Sequence, residues 1–178
     1  QVGARSTIRG ASAPAPGGHG QVTADSLSLE VDATGLRLSG AARIDGTPAR
    51  ISWRERFAGG DADDPRRAVE LRGALDAAML EKLGIAGIEI GEAAAPLRLS
   101  LGAQGPNDPD RFTLTADLGP AALSLPIFQW SKPAGSPGGI EVSGRFADNG
   151  AIEVERMSGE AGDLSFAGAA RIGPEGEL

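Results

Sequence analysis

The sequence predicts a mainly β protein: a curved antiparallel sheet of stacked hairpins, groove-like, carrying one short helix. Three observations predict it. Apolar and polar residues alternate with a period of two along most of the chain, Asp-Gly turns separate the alternating runs, and a pentapeptide recurs with matched flanks. Alternation at that period marks strands with one apolar and one polar face, and antiparallel sheet with one wet face is its natural outcome.

The first clear run is Leu27, Leu29 and Val31, interleaved with Ser28 and Glu30. Leu36, Leu38, Gly40, Ala42 and Ile44 follow, then Ala49, Ile51, Trp53 and Phe57, with arginine and serine between them. The pattern returns at Val69–Leu71, Leu97–Leu101, Phe112–Leu118, Leu123–Ile127, Ile140–Phe146, Ile152–Val154 and Leu164–Ile172, about ten strands in all by the alternation rule. Asp45-Gly46 lies between two runs and predicts a tight hairpin, because the turn needs positive φ and glycine supplies it. Asp148-Asn149-Gly150 repeats the device, and Gly173-Pro174-Glu175-Gly176 opens a further turn. One segment breaks the period. In Leu75–Gly84 the apolar residues 75, 79, 80 and 83 suit one helical face, with Gly84 as the stop. It reads as a helix packed on the sheet, or as an amphipathic helix that binds a partner.

Gly-Ala-Ala-Arg-Ile occurs at residues 40–44 and again at 168–172. Leu36 and Leu38 precede the first copy, Leu164 and Phe166 the second, and a glycine turn follows each. Gly144-Arg145-Phe146 is a looser third copy. Stacked hairpins, each needing neighbours to cover its apolar face, would explain the recurrence, as would chance within biased composition. The organisation expected is one excised segment of a larger repeat protein over residues 1–178. Within it, residues 1–20 are a flexible strand or linker, 21–73 a first β unit, 74–84 the helix and 95–178 a second β unit. The stretch ASAPAPGGHG (residues 11–20) is the linker or a long turn.

Composition excludes several chemistries. The 178 residues include no cysteine, which removes disulfides and thiolate chemistry. The one histidine, His19, sits in a glycine-rich turn, an unsuitable place for a catalytic triad. Seventeen basic residues face 24 acidic ones, net charge −7, with no basic run, so nucleic acid is not an expected partner. All the basic residues but Lys82 and Lys132 are arginine. Genomic GC bias accounts for that, and so does selection for forks that grip phosphate or carboxylate. The acidic turns at 59–65 and 105–110 lack the ligand order of a calcium loop. No phosphate-binding loop, nucleophile elbow or metalloprotease motif occurs. Carboxylates such as Glu153 and Glu155 share a strand face, as the wet side of a sheet does. The expectation is a protein that is not an enzyme, with no catalytic residue, no metal site and no cofactor. No apolar stretch approaches the roughly 20 residues that span a bilayer as a helix.

Residues 36–57 read LRLSGAARIDGTPARISWRERF, with Trp53, Glu55 and Phe57 closing a strand after the Asp-Gly turn. Downstream, Trp130, Lys132, Gly135, Pro137 and Gly138 form a W-x-K-x-x-G-x-P-G turn. These motifs and the intervening LDAAMLEKLG resemble the AsmA-like, YhdP-type (TamB-related) envelope proteins of Gram-negative bacteria, over most of residues 20–178. The resemblance implies a repeating β-groove within a periplasmic protein anchored in the inner membrane by a segment outside this sequence. It implies conduction of phospholipid between inner and outer membranes, with acyl chains and neighbouring repeats of the same chain as partners. No catalytic residue can be carried over.

A sheet with one apolar face must cover that face or offer it to something apolar. The candidate acyl-chain groove is therefore Leu27, Leu29, Leu36, Leu38, Ile51, Trp53, Leu97, Leu99, Phe112, Leu114, Ile140 and Val142. Small inward residues (Gly40, Ala42, Ala49, Gly144, Gly168, Ala170) would leave room in it, or would serve close sheet packing. The alternative function is a non-catalytic scaffold, a closed β-sandwich spacing a longer envelope protein.

Overall fold

The computed structural model describes residues 3–14, 20–57, 65–82, 87–103, 110–147 and 151–173. In chain order the elements are β1 (Gly3–Pro14), β2 (Gln21–Asp32), β3 (Gly35–Ile44), β4 (Thr47–Arg56), β5 (Arg67–Leu75), α1 (Ala77–Lys82), β6 (Glu89–Ile90), β7 (Ala95–Ala103), β8 (Arg111–Asp117), β9 (Leu123–Leu125), β10 (Trp130–Lys132), β11 (Gly138–Phe146), β12 (Ile152–Ala161) and β13 (Leu164–Ile172). Ten of these strands form one open antiparallel sheet in the order β1-β2-β3-β4-β5-β7-β8-β11-β12-β13. The remaining three make a small sheet, β10-β9-β6. The expected architecture is therefore the observed one: mainly β, antiparallel, and not closed into a barrel or a two-layer sandwich.

Local chemistry explains the turns. Asp45 and Gly46 both take positive φ, 49° and 84°, as a tight hairpin between β3 and β4 requires. The Asp45 carboxylate also accepts the backbone N–H of Gln21 at 2.8 Å, tying the turn to the start of β2. Asp32 makes the next turn by accepting from the Thr34 N–H (2.7 Å), the Thr34 hydroxyl (2.6 Å) and the Gly35 N–H (3.2 Å). Helix α1 is short. Asp76 caps it by accepting from the Met79 N–H at 2.8 Å, and Leu80 is its buried anchor.

The recurrent pentapeptide marks a recurrent hairpin. In β2–β3, Val22 pairs with Ile44, Leu27 with Gly40 and Val31 with Leu36, with a bulge between Thr23 and Leu27. In β12–β13, Ile152 pairs with Ile172, Met157 with Gly168 and Ala161 with Leu164, with a bulge between Val154 and Met157. Register, bulge and pentapeptide coincide. Gly144-Arg145-Phe146 is not a third instance: it lies on β11, which flanks β12 as β1 flanks β2.

Two stretches depart from the sequence reading. Gly3–Pro14, expected as a flexible strand or linker, is the edge strand β1, paired with β2 along its length. Ile8 is the only large aliphatic residue in that strand, so its own alternation is faint. Leu123–Ile127 stops as a strand at Leu125, because Pro126 opens a 3₁₀ turn that leaves Ile127 and Phe128 exposed. Gly84, His19, Asp148-Asn149-Gly150, Pro174–Gly176 and nearly all of the two acidic loops lie outside the described residues.

Candidate functional site: the apolar face of the open sheet

Register places all twelve candidate groove residues on one face. One row crosses every strand of the large sheet: Ile8, Leu27, Gly40, Ile51, Leu71, Leu99, Leu114, Val142, Met157 and Gly168 are successive cross-strand partners. At about 4.8 Å per strand the row runs about 43 Å. A second row on the same face runs Leu29, Leu38, Trp53, Val69, Leu101 and Phe112. Val69 and Leu71 were missing from the candidate set although they alternate. They fill the face between β4 and β7.

The two ends of the face differ. Around β1–β4 the cluster of Ala24, Leu27, Leu38 and Ala42, with Ile8, Ile51 and Trp53 against it, draws every member from the large sheet itself. Among the described residues no second layer contributes to it. Around β7, β8 and β11 the cluster of Ala95, Ala116, Leu118, Ala121 and Ala161 is roofed by Ile90, Leu123 and Trp130 of the small sheet. Leu97 and Ile140 pack in that roofed cluster, so these two candidates lie beneath a cover.

The roof is held by polar bonds that sequence reading missed. Lys132 is only 2% exposed, and its ammonium donates to the carbonyls of Leu118 (2.9 Å), Ala121 (2.9 Å) and Pro133 (3.2 Å). Trp130 Nε1 donates to Asp163 Oδ1 at 2.8 Å, pinning β10 to the β12–β13 turn. Both residues belong to the W-x-K-x-x-G-x-P-G turn, whose Gly135 takes φ 85° and whose Gly138 passes close to the Lys132 stem. The motif was the available signal, but nothing in it says that the lysine is buried.

The expectation that small residues leave room fails at two positions. A Cβ on Gly40 would meet Leu27 Cδ2 at 2.8 Å, and one on Gly144 would meet Phe112 Cζ at 2.9 Å. The space is already filled, by Leu27 and the Ser26 carbonyl at Gly40 and by the Glu153 carbonyl and Phe112 at Gly144, and Leu27 (6%) and Phe112 (8%) are buried. Trp53 sits half-buried in the second row, and its indole N–H is buried with no hydrogen-bond partner among the described residues.

Hydrophilic residues form the opposite face. A cavity of about 940 Å³ is lined by Ser28, Ser39, Ser52, Ser100 and Thr113 with Arg37, Arg54 and Arg111, and also by Leu38, Trp53, Val69, Leu101 and Phe112 of the strands between them. Among the described residues no cluster of histidine, aspartate and glutamate could hold a metal ion, and no helix is long and apolar enough to cross a membrane. Comparison with protein-family models, curated proteins and solved structures yields no match.

Proposed function

We propose that this chain is a non-catalytic lipid-cradling segment of a periplasmic, inner-membrane-anchored envelope protein, of the AsmA-like kind that its motifs resemble. Phospholipid acyl chains lie along the apolar face on their way between the two membranes. Neighbouring repeats of the same chain extend the face by pairing with the free edges of β1 and β13.

One observation carries this reading: an apolar row that stays in register across ten strands of a single open layer. A soluble sheet ordinarily hides such a face against a second layer, and among the described residues only one end of this one is roofed. Each methylene laid on it gains about 0.8 kcal/mol. A lipid tail reaches about half of a bilayer core that is about 30 Å thick, so the row exceeds one tail.

The competing reading is a scaffold. The burial of Leu27, Leu38, Leu71 and Phe112 without a ligand favours it. Native mass spectrometry of the purified chain, with titration of a fluorescent fatty acid, separates the two. Co-purified phospholipid and saturable uptake of the fatty acid are expected. Lipid-free protein that also refuses the probe refutes lipid cradling and leaves the scaffold.

A further inference from the structure

The repeated hairpin shows what one edge of the sheet lacks. Residues 36–44 of β3 read LRLSGAARI, and residues 164–172 of β13 read LSFAGAARI. Each strand pairs on one side with an equivalent partner, β2 or β12, across an equivalent bulge. On its other side β3 pairs with β4, whereas among the described residues nothing pairs with β13. Exposure follows the pairing. Leu38 is buried and its counterpart Phe166 is 40% exposed. Gly40 is half-buried and Gly168 exposed, Ala42 is buried and Ala170 half-buried. The same glycine and alanine positions lose cover where the second neighbour is missing.

That edge also lacks the usual defences. Sheet edges ordinarily discourage further strands with proline, lysine or inward-pointing charge. β13 has nine residues, no proline and no inward charge, and its one charged residue is Arg171. The opposite edge is different. β1 carries Arg5 and Arg9, ends on Pro14, has Gly10 at φ 62° and holds Ile8 as its only large aliphatic residue. A second copy fits the β13 edge poorly. Two copies joined there in full antiparallel register would set Gly168 against Gly168 and leave that row unpacked, and β1 has one aliphatic residue to offer.

We propose that the free edge of β13 is a docking site for an antiparallel strand with the chemistry of β4, supplied by a neighbouring unit. β4 sets Ala49 opposite Ala42, Ile51 opposite Gly40 and Trp53 opposite Leu38. The same register on β13 calls for a small residue opposite Ala170, a branched aliphatic opposite Gly168 and an aromatic opposite Phe166. Backbone N–H and C=O groups along the edge supply affinity, and the alternate side chains supply selection. Phe166 is in place beforehand, since it packs on its partner Gly159 as Leu38 pairs with Leu29. The apolar row that ends at Gly168 then runs on into the added strand. This docking rests on the reading that neighbouring units extend the sheet, and not on lipid.

The test uses the full chain and a labelled peptide of residues 47–57, TPARISWRERF. It is titrated by fluorescence anisotropy to about 1 mM, the effective concentration that a short linker gives a neighbouring unit. Saturable binding is expected, with slower hydrogen exchange at alternate amides of β13 and unchanged exchange in β1 and β3. A peptide carrying Ile51→Asp and Trp53→Asp binds at least tenfold more weakly. So does a peptide with residues 49 and 50, 51 and 52, and 53 and 54 exchanged pairwise, which turns its apolar residues to the other face. Phe166→Asp in the chain has the same effect, and the two altered peptides probe the site without touching the fold. Absence of saturation, equal binding of either altered peptide, or protection that falls on β1 or β3 overturns the proposal. So does a chain that sediments as a dimer with β13 protected, since a second copy then holds the edge. The fatty-acid titration on the same sample keeps the two readings apart. Lipid uptake without peptide binding strikes the docking edge and leaves the cradle, whereas peptide binding without lipid uptake supports the edge and strikes the cradle.

Discussion

Replacing Lys132 by methionine tests how the small sheet is held over the apolar face. Methionine keeps most of the buried stem and removes the ammonium. The carbonyls of Leu118, Ala121 and Pro133, now bonded at 2.9, 2.9 and 3.2 Å, lose their donor. A buried acceptor left unsatisfied costs about 1–3 kcal/mol. The two short bonds dominate, since the Pro133 contact is longer and only part-buried. Against that, the variant no longer buries a charge, which costs several kcal/mol unless fully bonded. The balance is a loss of about 2–4 kcal/mol. It is local, because the lost bonds join β10 to the Leu118–Ala121 segment and leave the ladder from β1 to β5 untouched. Urea denaturation followed by far-UV circular dichroism gives the magnitude. Hydrogen exchange gives the place, with faster exchange at Leu123–Leu125 and Trp130–Lys132 and unchanged exchange in β3 and β4. A variant within about 0.5 kcal/mol of the parent, or one that loses protection evenly across the large sheet, refutes the reasoning.

Three further outcomes follow from the same geometry. With Trp130→Phe leaving Trp53 as the sole tryptophan, fatty acids of increasing length should tighten about fourfold per methylene, read by Trp53 fluorescence, and a flat series would remove the cradle. Gly144→Ala drives a methyl onto the Glu153 carbonyl and the Phe112 ring, and should cost about 1–3 kcal/mol in a denaturation curve; the double change with Phe112→Leu should recover part of it, since the ring is one of the two obstructions. The Asp32 carboxyl titrates below its ordinary range because the Thr34 hydroxyl, the Thr34 N–H and the Gly35 N–H hold it ionised, with Arg37 adding a smaller pull. A depressed carboxyl contributes stability above its unfolded pKa and loses it as pH falls through the folded one. The β2–β3 turn should therefore loosen only in acid below the ordinary carboxylate range, visible in the Thr34 and Gly35 amide resonances, and Asp32→Asn should abolish that acid transition.

Strand identity was legible because a one-sided sheet imposes its period on the chain. The run Leu36 to Ile44 could only be a strand with Leu38 and Ala42 inward, and Asp45-Gly46 could only close a hairpin after it. The repeated Gly-Ala-Ala-Arg-Ile was likewise a true sign of a repeated hairpin, down to the bulge on its partner strand. Gly3–Pro14 was not legible, since a strand with one large aliphatic residue takes its place from β2 and not from its own pattern. The burial of Lys132 was equally hidden, because the carbonyls that hold it come from Leu118 and Ala121 across a chain reversal.

The sequence by itself determined which residues turn inward, since alternation assigns each side chain to a face before any strand finds its neighbour. Tertiary structure decided what each face became. Register across ten strands joined scattered leucines into one row, seated Leu27 over Gly40 and Phe112 beside Gly144, and set Arg50, Arg72 and Arg98 against one another. Those relations depend on pairings between residues distant along the chain, and a period of two records only what lies within a single strand.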